Sequence, residues 1–289
     1  MRSLLLDIVQ GINTVYSGWI LWNLFLAFVP LLLSFSLFRR GAVPPRWLAG
    51  AWGLTVAIGI IGLQARIPRV LRSVSGTWRD LQRGDGGLWP YVLWLAIAAM
   101  LALGLSLWRW RCGQTARPRL WWVGFAVFIA FLPNAPYVLT DIIHLIRGTS
   151  YGEIRVWVVA LVLIPLHLCA ILAGFEAYVM ALLNVNYFLK AKRLAYLILP
   201  TELGLHALCA LGIYLGRFVR LNSWDILLDP TSVVAITLNT LTSKRPVAVV
   251  VVTFVILTVL YWVLKQVSLG LKLRIAYARR GLDVWGLPE

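Results

Sequence analysis

The sequence predicts an all-α integral membrane bundle of seven transmembrane helices, or six if the second span does not cross, with short interfacial amphipathic helices. First, 61% of the 289 residues are hydrophobic and only 13% are charged, whereas soluble domains carry about 25% charged residues. Second, apolar runs of about 20 residues recur, which is the length that crosses a hydrocarbon core. Third, no polar segment is long enough to form a soluble core, so residues 1–289 are predicted to be one polytopic domain.

The apolar runs define the candidate spans. The second run is short and rich in glycine, which leaves open whether it crosses. The fourth run rises only about 20 Å as a helix, so it must continue past a kink or end inside the membrane beside other protein. The predicted spans are residues 17–38, 47–64, 88–108, 120–133, 156–182, 194–216 and 246–266.

Two amphipathic segments are predicted to lie in the headgroup layer. Near the N-terminus, Leu4, Ile8 and Ile12 recur on one helical face. Residues 66–83 combine an apolar face with five arginines, and that pattern is typical of interfacial helices. A loop that is merely basic is the alternative for this second segment.

Basic residues dominate the charge, and the net charge is +16. They lie in short loops between apolar runs and in the basic C-terminal tail, residues 265–289. This placement favours the lipid bilayer with its anionic headgroups as the partner and argues against nucleic acid. The sequence identifies no protein partner and leaves the cofactor unknown.

Two polar blocks carry the candidate site. They read "PNAPYVLTDIIH" and "YLGRFVRLNSWDIL", and they flank spans 156–182 and 194–216. Since two spans separate them, the blocks emerge on one face of the membrane, where carboxylate and guanidinium groups pair strongly. We expect Asp141 to contact Arg217 or Arg220. The candidate site comprises Asn134, Tyr137, Asp141, His144, Arg217, Arg220, Asn222, Trp224 and Asp225.

Simpler roles for these residues stay open. Prolines end helices, arginines near a span end reach the headgroups, and Asn222 can cap a helix that begins near Ser223. The blocks then form a scaffold, a ligand site or a surface that docks a protein partner. If the protein is an enzyme, Asp141, His144 and Asp225 are the acid–base candidates, and the two arginines would hold an anion.

A second polar group is predicted near the membrane midplane. Glu202 and His206 are four residues apart and His206 and Cys209 three apart, so these residues share a helix face. His167 lies at a similar depth in the neighbouring span. The four could bind a metal or haem, form a proton relay or solute path, or make hydrogen bonds between helices. Without a CxxC or HExxH motif, no metal is predicted.

The polar blocks also carry a family resemblance. "WNLFLAFVPLLLSF", "FLPNAPYVLTDIIHL" and "GIYLGRFVRLNSWDIL" resemble the three signature blocks of a bacterial membrane family, domain of unknown function 1361. The resemblance runs from Trp22 to the last span. It implies the membrane fold, the importance of these blocks and a bacterial plasma (inner) membrane, but it implies no activity.

Two classes of function are therefore carried forward. The first is a non-enzymatic membrane transporter or membrane-complex factor with a polar site at the extracytoplasmic face. The alternative is a membrane-embedded enzyme that acts on a lipid-linked or envelope substrate. A water-filled cavity past His167 and His206 would favour transport, whereas a cavity open only at the motif face or sideways to lipid would favour the enzyme.

The distribution of basic residues predicts the orientation. Segments 109–119, 183–193 and 265–289 lie on one face and hold twelve Lys and Arg residues. Segments 134–155 and 217–245 lie on the other face and hold six. Since cytoplasmic loops carry the excess of basic residues, the C-terminus is predicted to be cytoplasmic and the face with the polar blocks extracytoplasmic.

We predict that a membrane-impermeant thiol reagent labels Ser243→Cys but not Glu289→Cys in intact cells, in a background without the native cysteines. Permeabilised cells serve as the control, because both positions should then react. Labelling of Glu289→Cys alone in intact cells would reverse the predicted orientation.

Overall fold

The computed structural model describes residues 2–16, 18–64, 119–150, 154–219 and 230–281. These residues form helices and turns without strands, which confirms the predicted all-α membrane bundle. The predicted span 88–108 and the segment 66–83 lie outside the described residues. Within the described residues, six segments are long and apolar enough to cross a membrane: Trp19–Leu37, Pro45–Leu63, Trp121–Thr149, Val156–Ala191, Ala195–Val219 and Lys244–Ala278.

Several of these segments are interrupted helices. Short 3₁₀ turns occupy Val138–Asp141 and Ala195–Leu197, and π-helical turns occupy Val159–Leu163 and Leu215–Val219. The α-helices of the described residues are α1 Arg2–Tyr16, α2 Trp19–Leu37, α3 Pro45–Gln64, α4 Arg119–Phe131, α5 Asn134–Tyr137, α6 Ile142–Thr149, α7 Val156–Val158, α8 Ile164–Ala191, α9 Ile198–Tyr214, α10 Pro230–Thr242 and α11 Lys244–Ala278.

The second predicted span forms helix α3, which has the length to cross. Its glycines allow it to pack closely against α2. A Cβ at Gly62 would lie 2.5 Å from the backbone nitrogen of Trp22, and one at Gly59 would lie 2.7 Å from the ring of Phe25. The glycine content that left this span in doubt is therefore what its contact with α2 requires.

The fourth span continues past a kink, as one of the two predicted alternatives required. Helix α4 ends at Phe131, and the chain goes on through α5 and a 3₁₀ turn into α6. Pro133 and Pro136 cause the break because proline lacks an N–H donor and its ring crowds the preceding turn. The broken stretch fits tightly among its neighbours, since a Cβ at Gly212 of α9 would lie 2.8 Å from Pro133.

Parts of two segments that were predicted to lie outside the spans are helical. The segment 183–193, predicted to connect two spans, is helical as far as Ala191, where α8 ends. Asn184 Nδ2 donates to the Ser34 hydroxyl at 2.9 Å and Asn186 Nδ2 donates to Glu202 at 2.5 Å, so both amide nitrogens have partners. In the predicted tail 265–289, α11 continues to Ala278.

Helix α8 is the centre of the bundle. It packs against α2, α5, the 3₁₀ turn that follows α5, and α11, and it buries Tyr178, Ala181 and Leu182 completely. Helix α11 lies at the periphery, where Leu257 and Tyr261 are its buried residues. Phe254, Leu260 and Leu264 are partly buried against the core. Many of its remaining large apolar side chains are exposed, as contact with lipid tails requires.

Gly62→Ala should destabilise the protein by about 1–3 kcal/mol, because the added methyl group overlaps the α2 backbone. Gly53→Ala is the matched control on the same helix, since no atom lies within 4 Å of its Cβ position. That substitution should leave stability unchanged or raise it by about 0.5–1 kcal/mol. Thermal unfolding of the purified protein in detergent compares the two, and equal melting temperatures would refute the close α2–α3 contact.

Candidate functional site

The buried carboxylate of Asp141 lies at the centre of the candidate site. It ends the 3₁₀ turn of the broken fourth span and has no exposed surface. Its Oδ1 accepts a hydrogen bond from Arg217 Nη2 at 2.6 Å, and its Oδ2 accepts one from Asn23 Nδ2 at 2.6 Å. The predicted contact between Asp141 and Arg217 is confirmed.

Four side chains contact the guanidinium group of Arg217: Asp141, as described above, and also Thr140, Tyr137 and His144. Thr140 Oγ1 accepts from Nε at 3.0 Å and from Nη2 at 2.7 Å. The guanidinium carbon lies 4.5 Å from the centre of the Tyr137 ring, a cation–π distance. His144 Nε2 lies 3.1 Å from Nη1, and because a guanidinium can only donate, this contact is a hydrogen bond when Nε2 is the unprotonated nitrogen of the imidazole ring.

Irregular backbone brings these groups together. Thr140 and Asp141 belong to the 3₁₀ turn between α5 and α6, and Arg217 belongs to the π-helical turn that ends α9. Two interrupted helices therefore meet at the ion pair. Isolated π-helical turns are frequent at functional sites, and non-helical backbone at membrane depth occurs where it is buried in protein or lines a cavity.

The remaining predicted residues take other places. Asn134 donates to the carbonyl of Phe131 at 3.1 Å, so it supports the helix break instead of the ion pair. Outside the described residues lie four other predicted positions: Arg220, Asn222, Trp224 and Asp225.

Sequence reasoning missed three members of the site. Asn23 and Thr140 contact the ion pair directly, and the Trp19 ring lies 4.6 Å from the His144 ring. A signal for Asn23 existed, because it is the one amide in the apolar run "WILWNLFLAFVP". Thr140 stands next to Asp141 within the quoted block, and that position was the available signal.

The four midplane candidates face protein, as the sequence predicted: Glu202 is 7% exposed and His167, His206 and Cys209 are each 2% or less. The structure separates His167 from the other three, because His167 stacks on Tyr16 of a different hydrophobic cluster. In the part of the chain that the structure describes, no three His, Cys, Asp or Glu side chains converge as metal ligands would.

Glu202 forms a second ion pair. Its Oε1 accepts hydrogen bonds from Lys265 Nζ at 2.5 Å and Asn186 Nδ2 at 2.5 Å, and also from the Tyr261 hydroxyl. Lys265 was predicted to lie in the tail, and neither Asn186 nor Tyr261 was predicted to belong to this site. The sequence offered two signals: Lys265 stands at the end of an apolar run, and Asn186 stands among apolar residues.

One face of α9 connects the two ion pairs. Glu202, His206, Cys209, Ile213 and Arg217 recur at helical spacing, and the first four are buried. Fifteen residues separate the two charged ends, about 22 Å along the helix axis at 1.5 Å per residue. The pairs therefore lie in opposite halves of the bundle, and both are covered by protein.

A cavity of about 660 Å³ lies where α1, α2, α3 and α8 meet, and its lining is mostly apolar. Neither His206 nor Arg217 lines it. Tyr16 does, and its hydroxyl donates to the carbonyl of Leu163 at 2.7 Å. Burial raises the pKa of Tyr16 to about 12, so the phenol is neutral at physiological pH.

Removing one member of the buried pair should cost about 3–5 kcal/mol, because the other charge is left uncompensated. We expect this loss for Asp141→Asn and for Arg217→Met, and less than the sum for the double variant. Arg155→Met is the control, since Arg155 pairs with Asp7 at 3.2 Å but its side chain is 66% exposed; it should cost about 1 kcal/mol or less. Additive single losses, measured by chemical unfolding in micelles, would contradict the pairing.

Comparison with known proteins identifies the family. The family described as protein of unknown function DUF1361 matches residues 94–259, which include both Asp141 and Arg217. No curated protein and no solved structure matches the chain. Since the match covers more than half of the 289 residues, the chain belongs to the DUF1361 family of proteins of unknown function, here with the helical architecture of a multi-pass membrane protein.

Proposed function

We propose that this protein is a non-enzymatic transporter of a bacterial plasma membrane, and that Arg217 binds the anionic group of its solute at the extracytoplasmic face. The observation that carries the proposal is the buried pair of Asp141 and Arg217, built where two interrupted helices meet. Ionisable groups within membrane spans are rare, and those that occur mark solute or ion pathways, proton relays and other functional sites.

The interrupted helices support transport over a purely structural pair. Transporter binding sites are commonly formed by discontinuous helices near the interface of two structural units. Here the broken stretch that contains Pro133 and Pro136 packs against α2, α8 and α9. A pair that served only to join helices would need no break in either of them.

Asp141 occupies the position of an anionic ligand. Its carboxylate sits on the guanidinium group in the way that a carboxylate or phosphate solute would. The Arg217 side chain retains 15% exposure, against 1% for Asp141, so an incoming anion reaches the arginine first. Asn23 can hold Asp141 when Arg217 turns to the ligand, because its amide already donates to the other carboxylate oxygen.

The exchange gives the protein two states. In one state Asp141 closes the site. In the other state an anion replaces it on Arg217, and Asp141, which is then buried without its counter-charge, takes up a proton. A ligand shifts such an equilibrium only by its differential affinity for the two states. The affinity of Arg217 for the Asp141 carboxylate therefore sets the affinity that an external anion must exceed.

One observation favours the alternative, a membrane-embedded enzyme that acts on a lipid-linked or envelope substrate. The cavity of about 660 Å³ is mostly apolar and lies at the side of the bundle rather than along the axis past His206. An acyl or prenyl chain would fit such a lining. Conversion of radiolabelled lipid-linked precursors, followed by mass spectrometry, would distinguish this activity from transport.

Anion binding is tested with the purified protein in nanodiscs, with inorganic phosphate and acetate as probes at constant ionic strength against chloride. The wild type should gain stability by about 2.7 kcal/mol at an anion concentration 100 times the Kd. Arg217→Lys should gain less because it loses the planar fork of donors, and Arg217→Met should gain nothing. Arg155→Met is the control and should respond like the wild type. Equal gains in Arg217→Met would refute the proposal.

A further inference from the structure

The second ion pair supports an inference that does not rest on anion binding at Arg217. We propose that Glu202 is a proton-binding site of this membrane protein, and that its protonation releases Lys265 from the bundle. Glu202 lies on α9, Asn186 on α8 and Lys265 on α11, so the site joins three helices.

The carboxylate of Glu202 depends on its donors. Lys265, Asn186 and Tyr261 all donate to the same oxygen, Oε1. The side chain of Glu202 is only 9% exposed, so water contributes little to its solvation. A buried carboxylate that loses its counter-charge neutralises by taking up a proton, because a lone buried charge costs far more than a hydrogen-bonded acid.

The side-chain oxygen of Asn186 can accept a hydrogen bond from the protonated carboxyl group. Asn186 Oδ1 is buried and has no hydrogen-bond partner among the residues that the structure describes, although buried acceptors are nearly always paired. Rotation of the amide by half a turn would direct Oδ1 towards Glu202. A protonated Glu202 can then donate to it, whereas the ionised carboxylate has no proton to offer.

Lys265 has a route out of the site. Its side chain is 21% exposed, and its ammonium lies 5.2 Å from the centre of the Tyr261 ring. A four-carbon stem lets lysine move its charge towards the headgroup layer while the methylene groups stay against apolar surface. Lys272 and Arg274 follow on the same helix, so the basic end of α11 lies in that direction.

The proton balance is simple. One proton from water binds a carboxylate oxygen of Glu202, and Lys265 keeps its three ammonium protons. The cluster changes from an ion pair without net charge to an uncharged Glu202 carboxyl group and a Lys265 ammonium group that has moved outward. No other bond forms or breaks.

The neighbouring titratable groups leave Glu202 as the acceptor of the proton. Tyr178 of α8 shares a hydrogen bond of 2.6 Å with His206 Nδ1, and the His206 ring lies 4.7 Å from the Tyr261 ring. His206 is 1% exposed, and protonating it would create a second buried cation beside Lys265. Protonating Glu202 removes a buried charge instead. Cys209, the remaining group on this face, is fully buried.

Infrared spectroscopy of the purified protein in nanodiscs tests the proposal. When the pH is lowered, the wild type should show a reversible carbonyl absorption of a protonated carboxyl that is missing in Glu202→Gln. Asp141→Asn should retain it, which separates Glu202 from the carboxylate of the other pair. If the absorption persists in Glu202→Gln, or is absent from the wild type down to the pH of unfolding, the proposal is wrong.

Lys265→Met provides a second measurement that does not require Glu202→Gln to fold. Without the ammonium group, the same absorption should appear at a pH higher by about 1 unit or more, because an opposite charge favours the ionised carboxyl. An unchanged pH would overturn the proposal. Stabilisation of Glu202→Gln by phosphate, measured as for the wild type, shows separately whether the Arg217 site binds anions.

Discussion

The cost of placing charge inside hydrocarbon constrains this bundle more than any other interaction. Asp141 can be ionised at full burial only because Arg217 and Asn23 donate to its two oxygens. Those three residues come from the broken fourth span, α9 and α2, so one carboxylate ties together elements that are far apart in the chain. The helix break, the π-helical turn and the small residues at Gly174 and Gly212 all serve to bring these backbones close enough.

Burial of this kind also explains which features the sequence could predict. The helical membrane fold, the kink near Pro133 and the pairing of Asp141 with Arg217 follow from apolar length, proline chemistry and the rule that two spans return the chain to one face. Asn23 and Asn186 were missed because a single amide in an apolar run marks a polar position but does not indicate its partner. The role of such a residue depends on the partner that the tertiary structure brings next to it.

The same limitation applies at the ends of helices. A sequence-based boundary falls at the first charged or amide residue, because an unpaired polar group in lipid is costly. In the structure, Asn184 bonds to Ser34 and Lys265 bonds to Glu202, so α8 and α11 continue past those residues. A polar residue therefore marks the end of a span only when no other helix offers it a partner.

The stripe along α9 bears on how two sites could influence each other. Between His206 and Arg217 the same face presents Cys209 and Ile213, both buried among apolar neighbours. About 16 Å separates His206 from Arg217 along the axis, and this face offers no carboxyl, imidazole or hydroxyl group in between to pass a proton. Among the described residues, coupling of the Glu202 pair to the Arg217 pair can instead be mechanical. The Glu202 pair joins α9 to α8 and α11, and the Arg217 pair joins α9 to α2 and the broken span. A shift of α9 that loosens one set of contacts changes the geometry of the other.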